Sequence, residues 1–303
     1  MNKVAGVYLL GGITIVSEIP LPEIPLVQHS QATPHPVSVY LGNVPGPPPD
    51  AIALDPDCFA TATYYFLRIP GIASYQVTHG REILVEPEAG ALRLDVRAYL
   101  LGTLFVVLCQ QRGLLPLHAS AVSGGNGVVA FVARSGQGKS SLAAHLAQRG
   151  FHIFGDDVCL IDTRTEQPMV IPAAPWLKLW RNSLQMLGTD ADGLERVFSE
   201  DDKYRLPLQN VLSSEPIRRV VFLESSEQSL PELEEVTAIE AIPLLMNLTH
   251  QSYVLEATGQ REESFLRCSR VSSEAKSYRL FRPWGLRYLQ PTLDLLEEFL
   301  LGE

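Results

Sequence analysis

Residues 128–150 restrict this chain more than any other segment. Val128-Val129-Ala130-Phe131-Val132 reads as a buried strand. Ala133-Arg134-Ser135-Gly136-Gln137-Gly138-Lys139-Ser140 follows at once, and residues 141–149 have helical character closed by Gly150. Strand, glycine-bearing loop and helix in that order are the setting of a phosphate-cradling loop. Successive backbone N–H groups must turn inward to hold phosphate oxygens, and Gly136 and Gly138 supply the backbone freedom and the close approach. The helix that follows points its positive end at the same phosphates. Ala133 stands where the first glycine of such loops usually stands, which a strand end with negative φ tolerates. The expected nucleotide-binding set is Ser135, Gly136, Gln137, Gly138, Lys139, Ser140 and Ser141. Lys139 would bridge the β and γ phosphates of a nucleoside triphosphate, and the Ser140 hydroxyl would complete a Mg²⁺ shell.

The rest of the composition narrows the partners. A net charge of −10 over 303 residues argues against nucleic acid, because affinity for phosphate backbones needs clustered Lys and Arg, and Arg218-Arg219 is the one adjacent basic pair of note. Cys58, Cys109, Cys159 and Cys268 lie far apart without CxxC spacing, which suggests neither a zinc site nor a disulfide framework and fits reduced thiols in the cytoplasm. Residues 99–108 are apolar over about half the length a bilayer requires. Residues 7–16 carry Gly11-Gly12 and run into Ser17-Glu18-Ile19-Pro20 without a cleavage site, so no signal peptide is expected. The expectation is a soluble, cytoplasmic protein that does not engage a membrane.

The chain changes texture along its length. Residues 1–90 read as a β-rich region of short strands (7–16, 63–68, 73–77 and 82–86), interrupted by the proline loop Pro45-Gly46-Pro47-Pro48-Pro49. Residues 92–112 carry apolar side chains at helical intervals and stop at Gly113, as a packing helix that opens a second domain, 91–303. Farther on, strands are expected at 219–223 and 278–281, and helices at 238–248 and 286–301, the last with Pro291 inside. The fold class is α/β.

Two further segments gather around the loop. Leu117-His118-Ala119-Ser120-Ala121-Val122 pairs with the loop's own strand across Ser123-Gly124-Gly125-Asn126-Gly127. A turn centred on Gly125 sets His118 opposite Val132, beside the loop entrance, although a strand-end histidine can equally pack or face solvent. Phe151-His152-Ile153-Phe154 reads as the next strand, followed by Gly155-Asp156-Asp157. A helix that returns the chain makes this strand parallel to the first, so both aspartates reach the phosphate edge of the sheet. One carboxylate can take a proton from an attacking hydroxyl, and the other can hold Mg²⁺. Weaker candidates to neutralise phosphoryl charge are Lys178, Arg181, Lys203, Arg205 and Arg218-Arg219. His145, His152 and His250 carry no spacing signal.

Together, Leu117–Val122 with its histidine, Ser135-Gly136-Gln137-Gly138-Lys139-Ser140 and Gly155-Asp156-Asp157 resemble the HPr serine kinase/phosphorylase family, over residues 115–161 most specifically. The resemblance implies a P-loop kinase core similar to phosphoenolpyruvate carboxykinase, here preceded by the smaller β-rich region. It implies ATP and Mg²⁺ as cofactors and a seryl hydroxyl of a peptide or small protein as acceptor. It also implies Asp156 as catalytic base, Lys139 on the phosphates, Ser140 and Asp157 on the metal, and His118 in the same catalytic cluster. Homo-oligomers occur in that family. Where these kinases carry a Glu-Ile-Arg-Gly kind of signature, this chain has Ala174-Pro175-Trp176-Leu177-Lys178-Leu179-Trp180. Val16-Ser17-Glu18-Ile19-Pro20-Leu21-Pro22 and Arg112-Gly113-Leu114-Leu115-Pro116-Leu117-His118 look like a shorter subgroup found beside genes for ribosomally made peptides, lasso peptides included. Some of its members phosphorylate a precursor peptide on its C-terminal serine. A small-metabolite kinase and a non-catalytic nucleotide-binding regulator or peptide carrier are the alternatives.

Overall fold

A computed structural model describes residues 5–28, 33–209, 211 and 213–302. The chain divides into two compact units, one of 1–114 with 197–201 and 251–262, the other of 115–196, 202–250 and 263–303.

The first unit is an eight-stranded sheet with helices. Its strands are β1 (Gly6–Leu10), β2 (Ile13–Ser17), β3 (Val37–Leu41), β4 (Ile52–Asp55), β5 (Cys58–Ala60), β6 (Tyr64–Ile69), β7 (Ala73–Thr78) and β8 (Glu82–Pro87), in the order β1-β2-β3-β8-β7-β6-β5-β4. The segment 7–16, read from sequence as one strand, is a hairpin, because Gly11 and Gly12 both adopt positive φ and reverse the chain. Strict alternation in β7 buries Ala73, Tyr75 and Val77. Helices α1 (Arg93–Tyr99) and α2 (Phe105–Gln111) are joined by a π-helical turn, Leu100–Leu104, and the run ends at Gly113 with φ +79. This helix, expected from sequence to open the second domain, groups with the β-rich unit.

The second unit carries the glycine-bearing loop 133–138. Its sheet orders β12 (Ile153–Gly155), β10 (Ala119–Gly124), β11 (Gly127–Val132), β18 (Glu215–Ser226), β14 (Met169–Ile171), β13 (Cys159–Asp162) and β9 (Leu115–Leu117). β20 (Lys276–Pro283) runs parallel to β18 on its other side, and β19 (Glu232–Val236) pairs with β20. β15 (Trp176–Trp180), β16 (Glu195–Arg196) and β17 (Lys203–Pro207) form a separate small sheet. The helices are α3 (Lys139–Gln148), α4 (Arg181–Met186), α5 (Ala238–Asn247), α7 (Arg261–Glu274) and α8 (Leu289–Leu301), while α6 (Ser252–Ala257) belongs to the first unit.

The period-2 alternation of side chains explains how β11 and β18 sit. Val129, Phe131, Val221 and Leu223 turn to a core with Leu142 and Leu146 of α3 and Leu293, Leu296 and Leu300 of α8. Val128, Ala130, Val132, Val220 and Phe222 turn to a second core with Ala241 and Leu245 of α5 and Cys268 and Val271 of α7. A sheet covered on both faces needs apolar residues at every position, which is why β11 reads as a continuous apolar run. Pro291 is accommodated within the first turn of α8, where its missing N–H costs no helical bond. Phe131 is fully buried. Phe131→Ala is expected to destabilise this unit by about 3–5 kcal/mol, read by urea denaturation.

β11, β12 and β20 carry the site at one edge of the sheet. β11 and β20 are each parallel to β18, so all three end on the same side. β12 is antiparallel to β10, which is antiparallel to β11, so β12 ends there too. That edge carries the glycine-bearing loop after β11, the aspartates after β12 and Arg282-Pro283-Trp284 at the end of β20.

The hairpin register departs from the sequence reading. Gly124 pairs with Gly127 across a two-residue loop, Gly125-Asn126, so Ala119 rather than His118 lies opposite Val132. A two-residue loop is the favoured hairpin connection, and it moves every pairing by one position. His118 sits in the break between β9 and β10, its backbone N–H donating to Leu248 O at 2.8 Å.

Candidate functional site

The loop after β11 turns on two glycines in left-handed conformation, Gly136 (φ +81) and Gly138 (φ +74), the latter capping α3. Lys139, the first residue of α3, is buried and donates from Nζ to Ala133 O at 2.7 Å and Arg134 O at 3.0 Å. Its ammonium thus waits inside the loop on the loop's own carbonyls. Burial pulls its pKa down to about 8, against the opposing pull of the Asp156 and Asp157 charges. Arg282 donates to Gln137 O across the loop. A methyl group at Gly138 would meet Arg282 Nη2 at 2.6 Å in a backbone conformation that disfavours any side chain. Gly138→Ala is therefore expected to lose about 1–2 kcal/mol of stability, read by thermal melting.

The two aspartates have different surroundings. Asp156 is 4% exposed, and its carboxylate accepts from Ser120 Oγ at 2.6 Å and from the backbone N–H of Lys178 at 2.9 Å. Asp157 has φ +68, a conformation that Asp tolerates better than most residues. Lys178 Nζ lies 2.8 Å from Asp157 Oδ2, and His118 Nδ1 lies 3.4 Å from Oδ1 and 3.0 Å from the Asp157 carbonyl oxygen. The Lys178 ammonium holds the Asp157 carboxyl far below the usual carboxylate range. Burial, with the nearby Lys139 charge, lowers the His118 pKa.

A cavity of about 310 Å³ lies over the loop, walled by His118, Ser135, Gly136, Gly138, Lys139, Ser140, Ser141 and Asp157. Of the sequence-derived site residues, Gln137 and Asp156 are not on this wall; Asp156 is buried and hydrogen-bonded to the backbone N–H of Lys178, which is on it. Lys178 and Lys203 join the wall. The other downstream cations do not: Arg181 pairs with Asp202, Arg205 with Glu195, and Arg218 and Arg219 hold the Asn126, Phe299 and Gly302 carbonyls.

His250 reaches the site although nothing in its spacing marks it. Its N–H donates to Pro116 O at 2.8 Å, and Leu117 bridges Thr249, which brings its ring to 5.3 Å from that of His118. One potential ligand atom from each of His118, Asp157 and His250 lies within 4.8 Å of the others. Ser140 and Asp157 share the cavity wall and offer hydroxyl and carboxylate oxygens, the hard donors Mg²⁺ takes alongside substrate phosphates. The donor set fits that ion, and imidazole nitrogens beside it are better suited to a softer divalent metal.

All four cysteines are buried and free, and no helix among the described residues is long and apolar enough to cross a membrane. No protein-family model matches the sequence, and a search of curated proteins finds no match. Among solved structures, the chain is similar to the HPr(Ser) kinase/phosphatase from Coxiella burnetii at 13% identity, over 61% of this chain and 96% of that one, with a TM-score of 0.32. So distant a likeness says nothing about chemistry; the residues of the site must carry it.

Proposed function

We propose that this chain is a Mg²⁺–ATP-dependent serine kinase whose acceptor is a peptide or small protein. The observation that carries this reading is the cavity walled by Lys139, Ser140, His118 and Asp157 together with Lys178 and Lys203, with the buried Asp156 carboxylate hydrogen-bonded to the backbone of the wall residue Lys178. Loop N–H groups and three ammonium groups there suit a triphosphate, and phosphoryl transfer asks mainly for positioning and charge neutralisation.

In this proposal Asp156 takes the proton of the seryl hydroxyl. The serine oxygen bonds to the γ phosphorus as its bond to the β–γ bridging oxygen breaks, and ADP leaves. Asp157 is the poorer proton acceptor, since the Lys178 ammonium stabilises its charged form. Asp157 and Ser140 would hold Mg²⁺, which would neutralise charge on the phosphate oxygens. Ser120 and Lys178 N fix the Asp156 carboxylate, and Lys139 moves from the loop carbonyls to the phosphates. That the acceptor is a ribosomally made, lasso-type precursor peptide, and that the protein is a cytoplasmic homo-oligomer, rest on the sequence resemblance.

The test is incubation of the full chain with Mg²⁺–ATP and a panel of serine-ending precursor peptides, HPr and small hydroxyl metabolites, read by intact mass. One added phosphate on a peptide, absent with Lys139→Ala, is the expected result. Phosphate on HPr alone would assign a regulatory kinase, and phosphate on a metabolite alone a small-molecule kinase. ATP binding without transfer to any of them would favour a nucleotide-binding carrier.

A further inference from the structure

Next to the phosphate cavity is a second one of about 220 Å³, and Gly138, Ser141, Met186 and Trp284 line both. The two therefore adjoin along the loop. Their chemistry differs: the second is walled largely by apolar groups, among them Tyr288 and Leu289, and holds no carboxylate. Trp284 is 55% exposed and Met186 44% exposed, large apolar groups left partly in water at the mouth of a polar site.

The fold delivers the indole there by a definite route. Trp284 follows the last residue of β20, a strand that ends on the same edge as β11. Arg282 lies over its ring, guanidinium carbon 5.1 Å from the centroid, and the same guanidinium donates to Gln137 O in the loop. The indole is thus tied to the phosphate loop through one side chain.

We infer that this second cavity receives the purine base of the bound nucleoside triphosphate, with Trp284 as its stacking surface and Arg282 as the brace that sets the indole against the loop. The inference rests on the triphosphate-binding reading above. A triphosphate on Gly136–Ser140 leaves its nucleoside to extend along the loop, and the adjoining space is apolar and bears an exposed aromatic plane. A base offers a π face to such a plane whatever its hydrogen-bonding edge, so affinity here comes from stacking.

Calorimetric titration of the full chain with Mg²⁺–ATP and, separately, with Mg²⁺–tripolyphosphate separates base from phosphate. ATP is expected to bind the wild type more tightly than tripolyphosphate. Trp284→Ala should weaken ATP roughly ten- to hundredfold and leave tripolyphosphate within about twofold, and Trp284→Tyr should restore most of the ATP affinity. Equal weakening of both ligands, or of neither, would overturn the base site while leaving the phosphate loop standing. The base site would also fall if Trp284→Ala kept ATP affinity but impaired a peptide acceptor, since the cavity would then belong to the acceptor. A wild type that binds neither ligand would overturn the triphosphate reading itself, and this one with it.

Discussion

Asp156→Asn is expected to lower phosphoryl transfer by roughly 10²–10⁴-fold while leaving ATP affinity within about threefold. The substitution keeps shape and most of the local hydrogen bonding. The asparagine oxygen can accept from Lys178 N, and its amide can donate to Ser120 Oγ, a hydroxyl free to turn from donor to acceptor. What is lost is a carboxylate able to take a proton. Alanine is a poorer test, because it would strand two buried donors at about 1–3 kcal/mol each. Transfer is read as the rate of phosphate gain on the accepted substrate, and binding by calorimetry with ATP. Full activity in the asparagine variant would remove Asp156 from the chemistry and turn attention to Asp157.

Lys139→Ala should abolish transfer and weaken triphosphate binding by roughly 10²–10³-fold, because a buried ammonium is removed from the centre of the loop. The wild type should show a pH signature as well. Phosphate favours the charged ammonium, and burial holds the free protein's Lys139 at about 8. Below that pH the ammonium is present and affinity is at its plateau. Above it each binding event must first return a proton, so affinity should fall by about tenfold per pH unit. In Lys139→Ala this fall should vanish. A wild-type profile flat to about pH 9.5, or an alanine variant with undiminished affinity, would show that Lys139 does not meet the phosphates.

The strand–loop–helix run and the following strand were readable from spacing, since each depends on residues only a few positions apart, and the two glycines read as supplying backbone freedom are those that adopt positive φ. The direction of β12 was readable too, because a returning helix leaves few alternatives. The pairing of His118 was not. A two-residue turn at Gly125-Asn126 and a wider turn centred on Gly125 have similar sequences, yet one step of register moves the histidine out of the ladder altogether. His250, Lys178, Arg282 and Trp284 lie far along the chain from the site residues they meet, 21 positions for Lys178 with Asp157 and 145 for Arg282 with Gln137. Nothing in periodicity or composition records such a meeting.

By itself, then, the sequence determined that a strand, a glycine-bearing loop and a helix would follow one another at 128–148 and that two carboxylates would reach the same sheet edge, because local backbone geometry and chain direction enforce both. Tertiary structure alone decided which carboxylate lines the cavity and which is buried beside Ser120 and the Lys178 backbone. It also decided which of the scattered cations turn inward, and that an indole stands beside the loop. Those outcomes depend on strands from distant parts of the chain ending on one edge, where packing on both faces of the sheet leaves side chains at the strand ends free to converge.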